Sequence, residues 1–187
     1  MSVPAYADMD ITIFGAAQHQ GKLNLQTAQG AATTTSNFDP RTFGEFGVRY
    51  SHGRVIGGEH TLAYVPKFIT SSGKAVIYSS DLLLQVPSPK VKPYVTVGLG
   101  SVFTSGSDAK GLKSLSNFGS KFAINYGGGV KVLPAGPVGV RFDIRGYTVP
   151  SVKLNVVNSL QTGTVQAQDQ SLNFYEVGLG IVFKVGK

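Results

Sequence analysis

Hydrophobic and polar residues alternate one by one through short segments of this chain. Near the C-terminal end, Tyr175, Val177, Leu179, Ile181 and Phe183 fall on one parity, and Glu176, Gly178, Gly180 and Lys184 on the other. Successive side chains of a β-strand point to opposite faces, so a period of two gives this segment one dry face and one wet face. Eight segments carry strand patterning, at about 9–18, 42–51, 56–65, 75–86, 93–104, 121–133, 138–148 and 171–184, bounded by clusters of Gly, Pro, Ser, Asn and Asp. The connections after the second, fourth and sixth segments are short: His52 to Val55, Pro87 to Lys92 and Pro134 to Pro137. Those after the first, fifth and seventh are long (His19 to Arg41, Ser105 to Ser120, Val149 to Gln170), and Pro66 to Lys74 is intermediate.

Segregation of long loops to one end is expected of a chain that enters a membrane from one side, whereas a soluble meander has no such requirement. An even strand count puts both termini at the short-turn end. Turning Ile11, Ile13, Phe46, Val48, Tyr50, Leu62, Tyr64, Tyr78, Leu82, Leu84, Val95, Val97, Leu99, Ile124, Tyr126, Val130, Val140, Phe142, Ile144, Val177, Leu179 and Ile181 outward leaves no Asp, Glu, Lys or Arg facing lipid. A Lys or Arg at the bilayer midplane would cost about 2–4 kcal/mol. The pattern therefore predicts an all-β fold: an eight-stranded antiparallel up-and-down transmembrane β-barrel with short periplasmic turns and long outer loops, a single domain over residues 1–187. His60 shares the outward parity and is expected near an interface. Tyr50, Tyr64, Tyr78, Tyr94, Tyr126 and Tyr147 suit an interfacial aromatic belt or ordinary strand preference, and the chain has no tryptophan.

Charge changes the picture inside the barrel. The inward parity collects Asp10, Glu45, Glu59, Asp81, Asp143 and Glu176 against Arg49, Lys131, Arg141, Arg145 and Lys184. Of the 17 basic and 10 acidic residues, 12 and 4 then remain for loops and termini, so the net +7 lies outside the lumen. Side chains fill the interior of an eight-stranded barrel, and charges there must pair. The expected partners of Arg49, Arg141 and Arg145 are Glu45, Asp143 and Glu176, with Arg141 and Arg145 reaching Glu176 across neighbouring strands. Gly98, Gly100, Gly127, Gly129, Gly178 and Gly180 give these long side chains room. Such a column is a salt-bridge plug or, alternatively, a gated ion path.

Other chemistry is sparse. Charged residues make up only 14% of the chain, and it lacks the run of about 20 apolar residues that a membrane helix needs. Without cysteine there is no disulfide, thiolate metal site or thiol catalysis. No Gly-rich segment has phosphate-loop spacing. His19, His52 and His60 are the only histidines; His19 neighbours Ser- and Thr-rich loop residues, but no triad spacing marks it. The chain is expected to have no cofactor, no metal and no enzymatic activity. It opens without a basic, apolar leader, as expected of the mature form of an exported protein.

Three strings, Pro93-Tyr94-Val95-Thr96-Val97-Gly98-Leu99-Gly100, Asn125-Tyr126-Gly127-Gly128-Gly129-Val130-Lys131 and Gly139-Val140-Arg141-Phe142-Asp143-Ile144-Arg145, resemble the small outer-membrane β-barrel family of the OmpA-barrel or OmpX type. The resemblance runs from about Met9 to Phe183. It implies a monomeric eight-stranded barrel in a Gram-negative outer membrane, with an interior salt-bridge network and variable outer loops. Members usually end on an aromatic residue, whereas here Lys184-Val185-Gly186-Lys187 follows Phe183. Family membership leaves activity open, because such barrels serve as anchors, adhesins, pores and lipid-modifying enzymes.

The functional expectation is a structural or surface-interaction barrel whose lumen is plugged. Its outer loops carry Lys22, Arg41, Lys67, Lys74, Lys110, Lys113, Lys121 and Lys153 against Asp39, Asp108 and Asp169, a basic surface suited to lipopolysaccharide or an external protein partner. The partners expected are outer-membrane lipid and lipopolysaccharide, with no nucleic acid. A narrow pore stands as the alternative, ahead of a membrane hydrolase; a lipocalin-like carrier would need the opposite polarity of faces. The loop stretch Gly30 to Asn37, rich in Ala and Thr, has no apolar periodicity and is expected to be mobile unless a partner orders it.

Overall fold

In the computed structural model, which describes residues 8–20, 23–29, 32–38, 42–68, 73–105, 120–134, 136–152 and 170–185, the described residues form ten strands and no helix. They are β1 (Met9–Gln20), β2 (Leu23–Gln29), β3 (Ala32–Phe38), β4 (Thr42–Gly53), β5 (Ile56–Val65), β6 (Lys74–Gln85), β7 (Val91–Ser105), β8 (Ser120–Val132), β9 (Val138–Val152) and β10 (Gln170–Lys184). Eight of them close into an antiparallel barrel in the order β1-β10-β9-β8-β7-β6-β5-β4, so β1 seals the sheet by pairing with both β10 and β4. Closure removes every sheet edge, which is what permits strands to cross a bilayer. The eight segments read from the sequence are the eight barrel strands.

Two further strands lie outside the eight-segment pattern: most of the Gly30 to Asn37 stretch falls in strand β3, paired antiparallel with β2 in a separate two-stranded sheet. Thr33, Thr34 and Thr35 are β-branched and strand-favouring, and β2 ends close by in sequence at Gln29. The apolar alternation that marks a barrel strand is missing from these two strands, which pair with each other and not with the barrel.

Burial follows parity. In β6 every second residue from Ala75 to Gln85 is buried and every intervening one is exposed. The outward set Phe46, Val48, Leu82, Leu84, Val97, Leu99, Val140, Phe142, Ile144, Val177, Leu179 and Ile181 lies exposed, Leu179 to 67%. A belt of large exposed apolar side chains encircles the barrel, an arrangement that water disfavours and hydrocarbon rewards. The short turns are closely tied: Gly53 N–H donates to the Asp8 carbonyl at 2.9 Å, Gln85 N–H to Val55 at 2.8 Å, and Lys184 N–H to Pro137 at 2.8 Å. Gly53 adopts φ 108°, and a Cβ there would fall 2.6 Å from the Ile56 carbonyl oxygen, so the β4–β5 turn requires glycine.

Candidate functional site

The barrel axis carries a network of ion pairs. Alternation sends Glu45, Arg49, Glu59, Asp81, Lys131, Arg141, Asp143, Arg145 and Glu176 inward, and all are buried. Arg141 forks onto Glu59, Nη1 to Oε2 at 2.6 Å and Nη2 to Oε1 at 3.1 Å, while its Nε donates to Asp143 Oδ2 at 2.9 Å. Arg145 contacts Asp81 at 3.0 Å and also Glu59. Arg49 contacts Asp143 at 3.0 Å and also Glu176, with its guanidinium 3.6 Å above the Phe14 ring. Tyr94 supports the group: its hydroxyl donates to Asp143, and the Arg141 guanidinium lies 4.4 Å over its ring. Ser51 and Ser79 donate to Glu59 and Asp81 at 2.7 and 3.2 Å.

Room for these side chains comes from glycine. A Cβ on Gly127 would sit 2.7 Å from Arg145 Cγ, and one on Gly129 would sit 2.9 Å from Tyr94 Cζ. Below the central group, Lys131 pairs with Asp10 at 2.7 Å, and Lys92 with Asp8 at 2.5 Å. Lys184 is half-buried opposite Asp10 in the β1–β10 register.

The partner choice differs from expectation in two places. Arg145 lies 3.8 Å from Glu176, but Arg141 faces Gly180 in the register and is occupied by Glu59 and Asp143. Glu45 accepts from Gln18 Nε2 at 3.2 Å, and among the described residues no ion pair joins it to an arginine. Its place is taken by Glu59, which lies on the far wall and receives two arginines. Strand adjacency predicts neighbours; the longest side chains instead reach across the lumen.

The outer half of the lumen is mostly apolar, with Glu45 and its partner Gln18 set among the apolar side chains, and period-two reading missed it. Phe14, Phe43, Ala63, Val65, Phe68, Ala75, Ile77, Val102, Ala123, Tyr147, Val149, Leu172 and Phe174 form one buried apolar cluster there. Tyr147 stacks on Phe174 with ring centroids 4.8 Å apart, and Phe68, from the β5–β6 connection, packs edge-on against Phe174 at 5.8 Å. Phe68 N–H donates to the Gly73 carbonyl at 3.0 Å, which ties together the described ends of this connection. The available signal was the loss of alternation: Leu62-Ala63-Tyr64-Val65 and Ala75-Val76-Ile77-Tyr78 are apolar on both parities.

Of the basic loop residues, Lys67 and Lys74 are exposed, whereas Lys22, Lys110, Lys113 and Lys153 lie outside the described residues. His19 Nδ1 is 3.0 Å from Thr42 Oγ1, and its ring lies 5.0 Å from that of Tyr175. No carboxylate joins that contact, and the described residues hold no cluster of three or more His, Cys, Asp or Glu side chains able to hold a metal. His60 points outward as its parity requires and is half-buried between Tyr50 and Tyr78.

An apolar exterior, an ion-paired interior, tight turns at one end and a closed eight-stranded sheet define a small β-barrel of the outer-membrane class. The chain belongs to the outer membrane protein beta-barrel domain family, whose profile matches residues 1–184. Its fold is similar to that of the outer membrane protein OprG from Pseudomonas aeruginosa, with TM-score 0.61, 11% identity, and 97% of this chain and 99% of that one covered. Neisserial surface protein A is similar with TM-score 0.56 and 10% identity, over 93% and 96% of the two chains. At such identities the likeness is one of fold. No curated protein sequence matches this chain.

Proposed function

We propose that this protein is a non-conducting outer-membrane barrel with a structural or surface-interaction role, its lumen plugged and its basic outer loops directed at lipopolysaccharide or an external partner. The observation that carries the reading is the two-layer filling of the lumen. In the ion-paired layer Arg49, Arg141 and Arg145 are each held by two or more carboxylates. An ion entering the apolar layer above it would lose its hydration with nothing to replace it. Val65, Phe68, Ile77, Val102 and Val149 in that layer have no exposed surface.

The basic loop residues favour an anionic surface ligand. Lys67 and Lys74 are exposed beside the outer ends of β5 and β6, where lipid phosphates of the outer leaflet would lie. The deciding experiment is planar-bilayer recording of the full chain, paired with lipopolysaccharide retention during purification. A silent trace with retained lipopolysaccharide, lost on replacing Lys67 and Lys74 with Ser, supports the role; stable single-channel steps would establish the narrow pore instead.

A further inference from the structure

On the outer face of β4, β5 and β6, from the β4–β5 turn to the middle of the strands, four rings form a raft. Tyr50 and His60 oppose each other in the β4–β5 register and stack with centroids 6.5 Å apart at 12°. Tyr78 stacks on the other side of His60 at 6.4 Å and 17°, with its hydroxyl 3.2 Å from His60 Nδ1. His52 joins from the end of β4, 6.3 Å from His60 and 5.9 Å from Tyr50. Its ring lies over Gly58, where a Cβ would fall 2.6 Å from His52 Nε2, so the bare glycine seats the imidazole. Tyr50 is fixed in turn by donating to Met9 Sδ at 3.2 Å.

The surroundings of this raft are those of an amphiphile. Val48, Leu62 and Leu82 are exposed around it, 45–57% of each accessible, Val48 and Leu62 toward the barrel's middle and Leu82 opposite Gly58. Ring nitrogens facing hydrocarbon are costly unless something polar meets them, and polar groups in such positions mark function more often than structure. No acid lies on this face: Glu59 of β5 and Asp81 of β6 point into the lumen, where Arg141 and Arg145 hold them. At the turn, Asp8 is engaged by Lys92 at 2.5 Å, while Arg54 is exposed two residues beyond His52.

We propose that this raft binds the phosphate of an anionic phospholipid of the periplasmic leaflet. The imidazole N–H groups of His52 and His60 and the guanidinium of Arg54 meet the phosphate, and Val48, Leu62 and Leu82 receive the acyl chains. Flat stacking of the rings presents a surface rather than converging donors, which suits a headgroup and not a chelated metal. His52 and Arg54 lie at the short-turn end, away from the basic loops, and the site stands independently of their role.

Full-length protein in nanodiscs of equal parts phosphatidylglycerol and phosphatidylcholine, released and weighed by native mass spectrometry, tests this. Wild type is expected to retain phosphatidylglycerol preferentially, and His52→Gln with His60→Gln to lower that preference by about tenfold, the size of one lost interaction. Gly58→Ala, which displaces the His52 ring and removes no charge, is expected to lower it as well. Arg54→Gln, on an exposed turn, keeps the question open to test if the histidine variant fails its heat-modifiable gel shift. Equal retention of the two lipids by wild type, undiminished preference in the variants, or dimer masses in place of lipid adducts would each overturn the proposal.

Discussion

Arg145 and Glu59 stand on diametrically opposite strands of the barrel, β9 and β5, and meet at its axis. Glu59 there also receives the fork of Arg141, and Arg145 extends to Asp81 at 3.0 Å. One carboxylate thus joins two arginines from one wall to the other, and neither wall can shift without breaking charge-assisted hydrogen bonds in a site without water's screening. The network gives the barrel interior a single arrangement of partners.

Removing that carboxylate leaves two buried guanidinium groups short of a partner. Glu59→Ala is expected to lower stability by about 3–5 kcal/mol, the usual cost of breaking a buried pair from one side. Urea unfolding from detergent micelles, followed by the mobility shift between folded and unfolded barrel, measures it. Replacing Glu45 with Gln, by contrast, removes no arginine partner and is expected to cost under about 1.5 kcal/mol, the worth of a single hydrogen bond. Equal losses for the two variants would contradict the partner assignment.

The same layering decides what opens the lumen. Arg141→Ala empties part of the charged layer but leaves the apolar layer over it intact, so planar-bilayer traces are expected to remain closed. Phe68→Ala removes the ring that packs on Phe174 at the mouth. Only the two substitutions together are expected to give measurable conductance. A pore opened by Arg141→Ala alone would mean that the apolar layer does not seal.

How far the sequence foretells this architecture depends on the range of each interaction. Strand number and facing are local properties: parity alone turns Val97 and Leu99 outward and Thr96 inward, and the structure agrees residue by residue. Partner choice is not local. The pairing of Arg141 with Glu59 spans the lumen, and no spacing along the chain encodes it. The apolar outer layer was hidden because Ala63, Val65, Ala75 and Ile77 share parity with charged positions lower on the same strands, Glu59 and Asp81. The β2–β3 pair was hidden for a different reason: its residues 32–37 are Ala, Thr, Ser and Asn, with no apolar alternation to mark a strand.

Depth along the outer face supplies a graded test. Val97 lies in the middle of β7 and is 53% exposed, whereas Val86 follows the end of β6 beside a short turn and is 54% exposed. Equal exposure with different depth separates membrane burial from ordinary surface position. Val97→Arg is expected to destabilise folding into phospholipid vesicles by about 2–4 kcal/mol, and Val86→Arg by about 0–1 kcal/mol. Matching costs at both sites would place the bilayer elsewhere on the barrel.

The hairpin outside the barrel can be tested by cross-linking, because the chain contains no cysteine of its own. The β2–β3 register places Thr27 opposite Thr34 and Leu25 opposite Ser36. Directly opposed residues of antiparallel strands have Cβ atoms about 4.5–5.5 Å apart, whereas diagonal ones are about 7–8 Å apart. A disulfide tolerates the first separation far better than the second. Thr27→Cys with Thr34→Cys is therefore expected to oxidise readily, and Thr27→Cys with Ser36→Cys to remain largely reduced, as read on a non-reducing gel. Because β2 and β3 form a sheet of their own, the cross-link is expected to leave the folded-barrel mobility unchanged. Comparable oxidation of both pairs would mean that these segments hold no fixed register, and the Ala- and Thr-rich stretch would then be the mobile loop, awaiting a partner, that its sequence suggests.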